Sequence, residues 1–323
     1  MAGSTRKKKH TAPRKPHGNP QKAHVSRDPA HIEPPTLGDW IGAARLRTLP
    51  LAVTPILIGT GAALVVDRAF HWVIALACLL VAVALQIGVN YANDYSDGIR
   101  GTDDHRVGPA RLTASRKVTP RTVLIVAFAF FAIAAIAGLA IVVRTGHWWM
   151  LLIGAACIVA AWFYTGGKRP YGYAGFGELF VFVFFGLVAT IGTAFVQSGT
   201  VNQEAWFGGV AAGFLACGVL LANNLRDIDQ DRVAGKRTLT VRIGARATQV
   251  LYTVLVLGAF AIVVFLAQVY PLAWLGLLAL IPAAAAILIV WTYRQPRELV
   301  VALALTSLTS LALGAALLWA FIG

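Results

Sequence analysis

Acid is what this chain has least of: 14 Asp and Glu stand against 28 Lys and Arg in 323 residues, and only 13% of residues are charged. So little charge, with 58% apolar residues and a mean hydropathy of +0.69, excludes an ordinary soluble domain and places the chain in the membrane class. Cysteine is scarce as well. Cys78, Cys157 and Cys217 lie far apart inside apolar runs with no metal-ligand spacing; they read as small core residues, and neither a disulfide framework nor a zinc site is indicated. No apolar core or cleavage pattern follows the first basic cluster, Arg6 to Lys9, so a secretory signal peptide is not expected.

What the chain does have is apolar runs of about 20 residues, each long enough to cross about 30 Å of hydrocarbon. Nine candidate spans fall at about 49–66, 71–92, 121–143, 147–165, 175–197, 206–225, 247–269, 271–293 and 299–322. Backbone groups in lipid are satisfied only in helices or closed barrels, and runs without period-two alternation select helices. The expected fold is therefore an all-α integral membrane protein of about nine transmembrane helices. Residues 1–38, rich in Lys, Arg, His and Pro, read as a disordered basic cytosolic tail that favours anionic lipid, and 39–323 as the transmembrane domain.

Orientation follows from the bases. With the N-terminus cytosolic, the cytosolic segments hold 26 of the 28 Lys and Arg, leaving Arg68 and Arg144 on the other side. Membrane topology thus explains the +14 net charge, and a nucleic-acid partner is not indicated.

Half of the acids lie in two stretches, Asn90 to Asp104 and Asn223 to Asp231, at the cytosolic ends of the second and sixth spans. The recurrence four spans apart hints at a duplicated four-helix unit followed by a ninth helix. On a continuing helix Asn90, Asp94 and Asp97 share one face, as do Asn223 or Asn224 with Asp227 and Asp231. Like charges about 4 Å apart repel by about 4 kcal/mol at an effective dielectric of about 20, so converging carboxylates call for a cation between them. Ligands that are all oxygen, with room for water and phosphate, suit Mg²⁺. Arg100, Arg106, Arg111, Arg116 and Lys117 follow the first stretch, and Arg226, Arg232, Lys236 and Arg237 surround the second. Acids that hold metal, ringed by bases, fit a diphosphate, and an apolar pocket beneath them fits a hydrocarbon tail; a polyprenyl diphosphate has both parts.

Asn93-Asp94-x-x-Asp97 and Asp227-x-x-x-Asp231 resemble the two aspartate-rich motifs of the UbiA-type intramembrane prenyltransferases. Ala44 to Pro50, Asn93 to Asp103 followed by Arg106-Val107-Gly108-Pro109, and Ala234 to Leu239 are similar to the branch of that family that prenylates 1,4-dihydroxy-2-naphthoate in menaquinone synthesis. The resemblance spans about residues 40–323. It implies a nine-helix bundle in the cell (inner) membrane, with a cytosolic-side site using more than one Mg²⁺ ion. The implied metal ligands are Asp94, Asp97, Asp227, Asp231 and Asn90, with Lys168 joining the four aspartates as catalytic. Diphosphate, prenyl chain and acceptor fall to Asn90, Asn93, Arg45, Arg47, Arg100, Asp103, Arg106, Arg111, Tyr164, Tyr171, Asn223, Asn224, Lys236 and Arg237. Tyr164, Tyr171 or Tyr173 would face an allylic cation with their rings. One position departs from the family: Gly101 stands where the first motif often carries another Asp, and Asp103 would supply that oxygen.

Plainer readings stand beside these. One acidic cluster at a membrane surface is usually solvated, but two on one side in matching register are harder to explain that way. Lys168 can also be read as a loop charge, Gln86 as an interhelical hydrogen-bond former, Glu178 as a salt-bridge partner, and Phe180, Phe182, Phe184 and Phe185 as lipid-facing or packing bulk. Another aromatic acceptor, such as 4-hydroxybenzoate, is the competing enzyme reading. A transporter is the competing class, disfavoured because the acids cluster at one face rather than at mid-depth. Oligomeric state is left open.

Overall fold

The computed structural model describes residues 34–101 and 111–323. The expected tail up to residue 33, Asp103 and Arg106 lie outside the described residues. Helix α1 (Leu37–Ala44) starts in a capping box, with Asp39 N donating to Thr36 Oγ1 at 3.2 Å and Thr36 N to the Asp39 carboxylate at 2.8 Å. It stops at Arg45 in the left-handed conformation (φ 55°). A 3₁₀ turn, Leu46–Thr48, then leads into α2 (Pro50–Val66), whose first-turn proline starts a helix without losing a hydrogen bond. The two halves meet at a 45° bend.

Then follow α3 (Trp72–Arg100), α4 (Pro120–Thr145), α5 (Met150–Phe163), α6 (Gly177–Ser198), α7 (Gln203–Arg226), the short α8 (Ile228–Val233), α9 (Leu239–Leu266), α10 (Pro271–Thr292) and α11 (Pro296–Ile322). No strand occurs among the described residues. Seven helices, α3, α4, α6, α7, α9, α10 and α11, are long and apolar enough to cross a membrane, and the bent α1–α2 pair makes eight. The protein is an all-helical multi-pass membrane protein. Against the nine expected spans, the shortfall is α5: its 14 residues reach about 21 Å at 1.5 Å per residue, less than a hydrocarbon core.

Two features position the site. At 29 residues, α3 runs on past its apolar stretch, so the first acidic cluster stays helical to its end. Gly101 closes the helix in the left-handed conformation (φ 68°), which glycine adopts without a Cβ penalty. Helix α7 is the bundle's centre, with 72% of its apolar stretch buried. It meets α6 backbone to backbone: a Cβ on Gly186 would lie 2.6 Å from Gly213 Cα and 2.7 Å from the Gly209 carbonyl oxygen. At this contact α6 widens into a π-helical segment, Phe182–Val188, which contains Gly186.

Candidate active site

The ends of α3 and α7 face one cavity of about 840 Å³, whose other walls come from α2, α4, α5 and α6. Its charged lining is confined to one end: Arg45, Arg47, Asp94, Asp97, Arg111, Arg226, Asp227, Asp231 and Lys236. Below them the walls are aliphatic and aromatic, for example Val81, Leu85, Ile158, Phe184 and Val188. The shape matches an amphiphile with an anionic head and an apolar tail.

Each carboxylate is tied to protein donors. Asp94 accepts the backbone amides of Leu112 and Thr113 at 2.9 and 3.0 Å, which docks that segment onto α3. Asp97 pairs with Arg111 at 3.2 Å and Lys236 at 3.2 Å and accepts the Tyr173 hydroxyl. Asp227 takes both arms of the Arg226 guanidinium, at 2.7 and 2.6 Å. Arg226 also reaches Asn223 Oδ1 at 2.9 Å. Lys236 lies 3.7 Å from Asp231 as well as 3.2 Å from Asp97, so one ammonium bridges the two acidic stretches. Among the described residues, no three His, Cys, Asp or Glu side chains form a preassembled metal cluster. The acids face the cavity as two separate pairs, each stabilised by bases.

The two stretches are built differently. Asn90, Asp94 and Asp97 share one face of an unbroken helix, as the spacing predicts. The second stretch breaks at Asp227 (φ −97°, ψ 6°), where α7 gives way to α8. Asp231 still follows in helical register because its N–H donates to the Asp227 carbonyl at 2.8 Å.

Of the side chains picked from sequence, Asn90, Asn93, Asp94, Asp97, Arg45, Arg47, Arg111, Tyr164, Tyr171, Asn223, Asn224, Asp227, Asp231 and Lys236 all line this cavity. Lys168, Arg100 and Arg237 are exposed and are not among its lining residues. Arg100 instead donates to the carbonyls of Thr165 and Gly167, fastening α3 to the loop after α5. Gln86 takes its interhelical role, donating to the Thr48 carbonyl at 2.6 Å. Tyr171 stacks on Phe180 at 4.0 Å and lies edge-on to Tyr164 at 5.5 Å. Burial pushes the Tyr171 phenol up, so it is neutral at pH 7. Tyr173 uses its hydroxyl on Asp97, while Lys236 and Arg100 sit 4.7 and 5.3 Å from its ring centre. Sequence reasoning missed Thr165, whose hydroxyl donates to Asn93 Oδ1 at 2.6 Å, and the pairing of Glu178 with Asn224. No local spacing marks either contact.

A bundle of membrane helices around a cavity with a charged head and an apolar tail defines a class of intramembrane enzyme acting on anionic amphiphiles. The sequence model of the UbiA prenyltransferase family matches residues 52–311. The chain belongs to that family, and it is a prenyl-transferring enzyme. It is 50% identical over 276 residues to the 1,4-dihydroxy-2-naphthoate octaprenyltransferase of Mycobacterium tuberculosis, covering 85% of this chain and 94% of that one. A UbiA homolog from Aeropyrum pernix K1, solved without ligand, superimposes with a TM-score of 0.64 at 17% identity over 82% of this chain and 96% of the other. A UbiA homolog from Archaeoglobus fulgidus bound to GPP and Mg²⁺ gives 0.60 at 15% identity, covering 87% and 99%.

Proposed function

We propose that the protein transfers a polyprenyl group from polyprenyl diphosphate to 1,4-dihydroxy-2-naphthoate, releasing diphosphate and CO₂ and forming demethylmenaquinol for menaquinone synthesis. The observation that carries this reading is the bridge from Asp97 through Lys236 to Asp231, which joins two distant acidic stretches over an apolar pocket. The naphthoate is supported by 50% identity to an enzyme named for it. Residues 39–323 form the prenyltransferase domain in this reading. The N-terminus and the charged end of the cavity face the cytosol across the cell (inner) membrane, since 26 of the 28 Lys and Arg then fall on that side.

A divalent cation fits the donor set. Five bases and four acids line the cavity, an excess of one positive charge, and a diphosphate brings more negative charge than that. Asp94, Asp97, Asp227 and Asp231, with the Asn90 amide oxygen, would hold more than one Mg²⁺ ion, which supplies positive charge to the departing diphosphate. Arg111, Arg226 and Lys236 donate to the diphosphate, and Arg45 and Arg47 add charge from the α1–α2 bend. As the allylic C–O bond breaks, the Tyr164 and Tyr171 rings face the carbon left electron-poor, and the apolar walls exclude water. The acceptor's carboxylate-bearing carbon attacks that carbon, a C–C bond forms, and the carboxylate departs as CO₂. No protein nucleophile takes part; positioning and charge do the work.

Purified protein in detergent, given Mg²⁺, a polyprenyl diphosphate and 1,4-dihydroxy-2-naphthoate, is expected to release diphosphate and CO₂. Asp94→Ala, Asp227→Ala and EDTA each abolish the release. Preference for 4-hydroxybenzoate would refute the acceptor, and full activity in EDTA would refute the metal.

A further inference from the structure

Glu178 is an acid in the wrong place for the reaction as derived. It lies at the start of α6, outside both acidic stretches, with 7% of its surface exposed. An ionisable group in a membrane-spanning helix is costly and calls for a reason. Its Oε1 accepts from Asn224 Nδ2 at 2.9 Å. Its Oε2 is enclosed and has no hydrogen-bond partner among the described residues. The Cys217 thiol bonds the Glu178 carbonyl oxygen, not the carboxylate. The carboxylate's bond to Asn224, an amide that lines the cavity, is therefore the contact that an acid here serves.

That bond sets which way the amide points. The Asn224 NH₂ is turned to Glu178, which leaves Oδ1 as the atom available to the cavity. Diphosphate oxygens also only accept, so Asn224 Oδ1 has nothing to offer the leaving group. It suits a hydroxyl donor. Asn224 lies three residues before Asp227, about 4.5 Å deeper along α7, beneath the head-group level. Tyr164 and Leu220 line the same cavity as Asn224 and meet over Gly177, next to Glu178, where a Cβ would lie 3.4 Å from Leu220 Cδ2, 3.5 Å from Tyr164 Cε2 and 3.6 Å from the Tyr164 hydroxyl. An amide oxygen in a cavity that an aromatic ring and an aliphatic side chain also line is the chemistry for a hydroxylated aromatic.

We infer that Glu178 is a positioning residue that fixes Asn224 with its oxygen toward the cavity, where Asn224 accepts a hydroxyl of the aromatic acceptor. The inference rests on the proposed function, and titration of detergent-solubilised protein with 1,4-dihydroxy-2-naphthoate separates the two. Asn224→Ala and Glu178→Leu are each expected to weaken acceptor binding by about tenfold, the scale of a hydrogen bond in a desolvated site. Glu178→Gln, which keeps an oxygen for the Asn224 NH₂, retains most of the affinity. The double variant binds no more weakly than Asn224→Ala alone, and inorganic diphosphate binding with Mg²⁺ is unchanged throughout. Unchanged acceptor affinity in Asn224→Ala would overturn the inference, whatever happens to the folding of Glu178→Leu. So would a Glu178→Leu effect that persists in full in the Asn224→Ala background, which would mark a purely structural acid. A drop in Mg²⁺ affinity instead would assign the amide to the metal and also overturn it. A wild-type protein that binds no dihydroxynaphthoate refutes the acceptor reading itself.

Discussion

Replacing Lys236 with Met tests the central geometry because it pulls two affinities in opposite directions. The side chain keeps much of its length and loses the ammonium that lies 3.2 Å from Asp97 and 3.7 Å from Asp231. At an effective dielectric of about 20 these contacts correspond to gross attractions of about 5 and about 4.5 kcal/mol. Desolvation of the buried groups offsets most of this, and truncating a buried pair commonly costs about 3–5 kcal/mol of stability. Thermal unfolding in detergent is therefore expected at a lower temperature. With the competing ammonium gone, the cavity's excess positive charge falls to zero and the carboxylates are freer for a divalent ion. Mg²⁺ titrated calorimetrically without diphosphate should bind about tenfold more tightly to the variant, about 1.4 kcal/mol. Inorganic diphosphate, having lost a donor, should bind more weakly by a similar factor. Mg²⁺ affinity that is unchanged or reduced would refute competition between the Lys236 ammonium and a divalent ion for these carboxylates.

Tyr173→Phe removes the hydroxyl that Asp97 accepts; hydrogen bonds to charged groups are worth about 1.5–3 kcal/mol, so kcat/KM for the prenyl diphosphate should fall about tenfold or more. A steady-state assay with unchanged kcat/KM would show that Asp97 is oriented without it. Gly186→Ala forces a Cβ to within 2.6 Å of Gly213 Cα and should destabilise the α6–α7 contact by about 1–3 kcal/mol, read as a lower thermal midpoint. An unchanged midpoint would mean that the two helices do not touch backbone to backbone.

Much of the site was legible because helical spacing is a local property. Asn90, Asp94 and Asp97 fall on one face wherever α3 stays helical, and the 29-residue helix does so. Basic side chains were harder to place. Lys168 and Lys236 both sit in loops near glycines, yet Lys236 bridges two aspartates while Lys168 is exposed. Their neighbours in sequence do not distinguish them; what does is the return of the chain through α8, where Lys236 N donates to the Asp231 carbonyl at 2.8 Å. Glu178 stood out for its cost in a span, but its partner is an amide 46 positions away in the chain, on another helix.

By itself the sequence determined the membrane class, the helical architecture, the charge asymmetry and the two acidic stretches, since each depends on composition or on spacing along one helix. The tertiary structure alone decided that both stretches meet at one cavity, that Lys236 and not Lys168 lies between them, and that α5 is shorter than a span. It also decided that Asn224 and Glu178 are hydrogen-bonded across two helices. These outcomes depend on how separate helices pack, and packing brings together residues that no period along the chain connects.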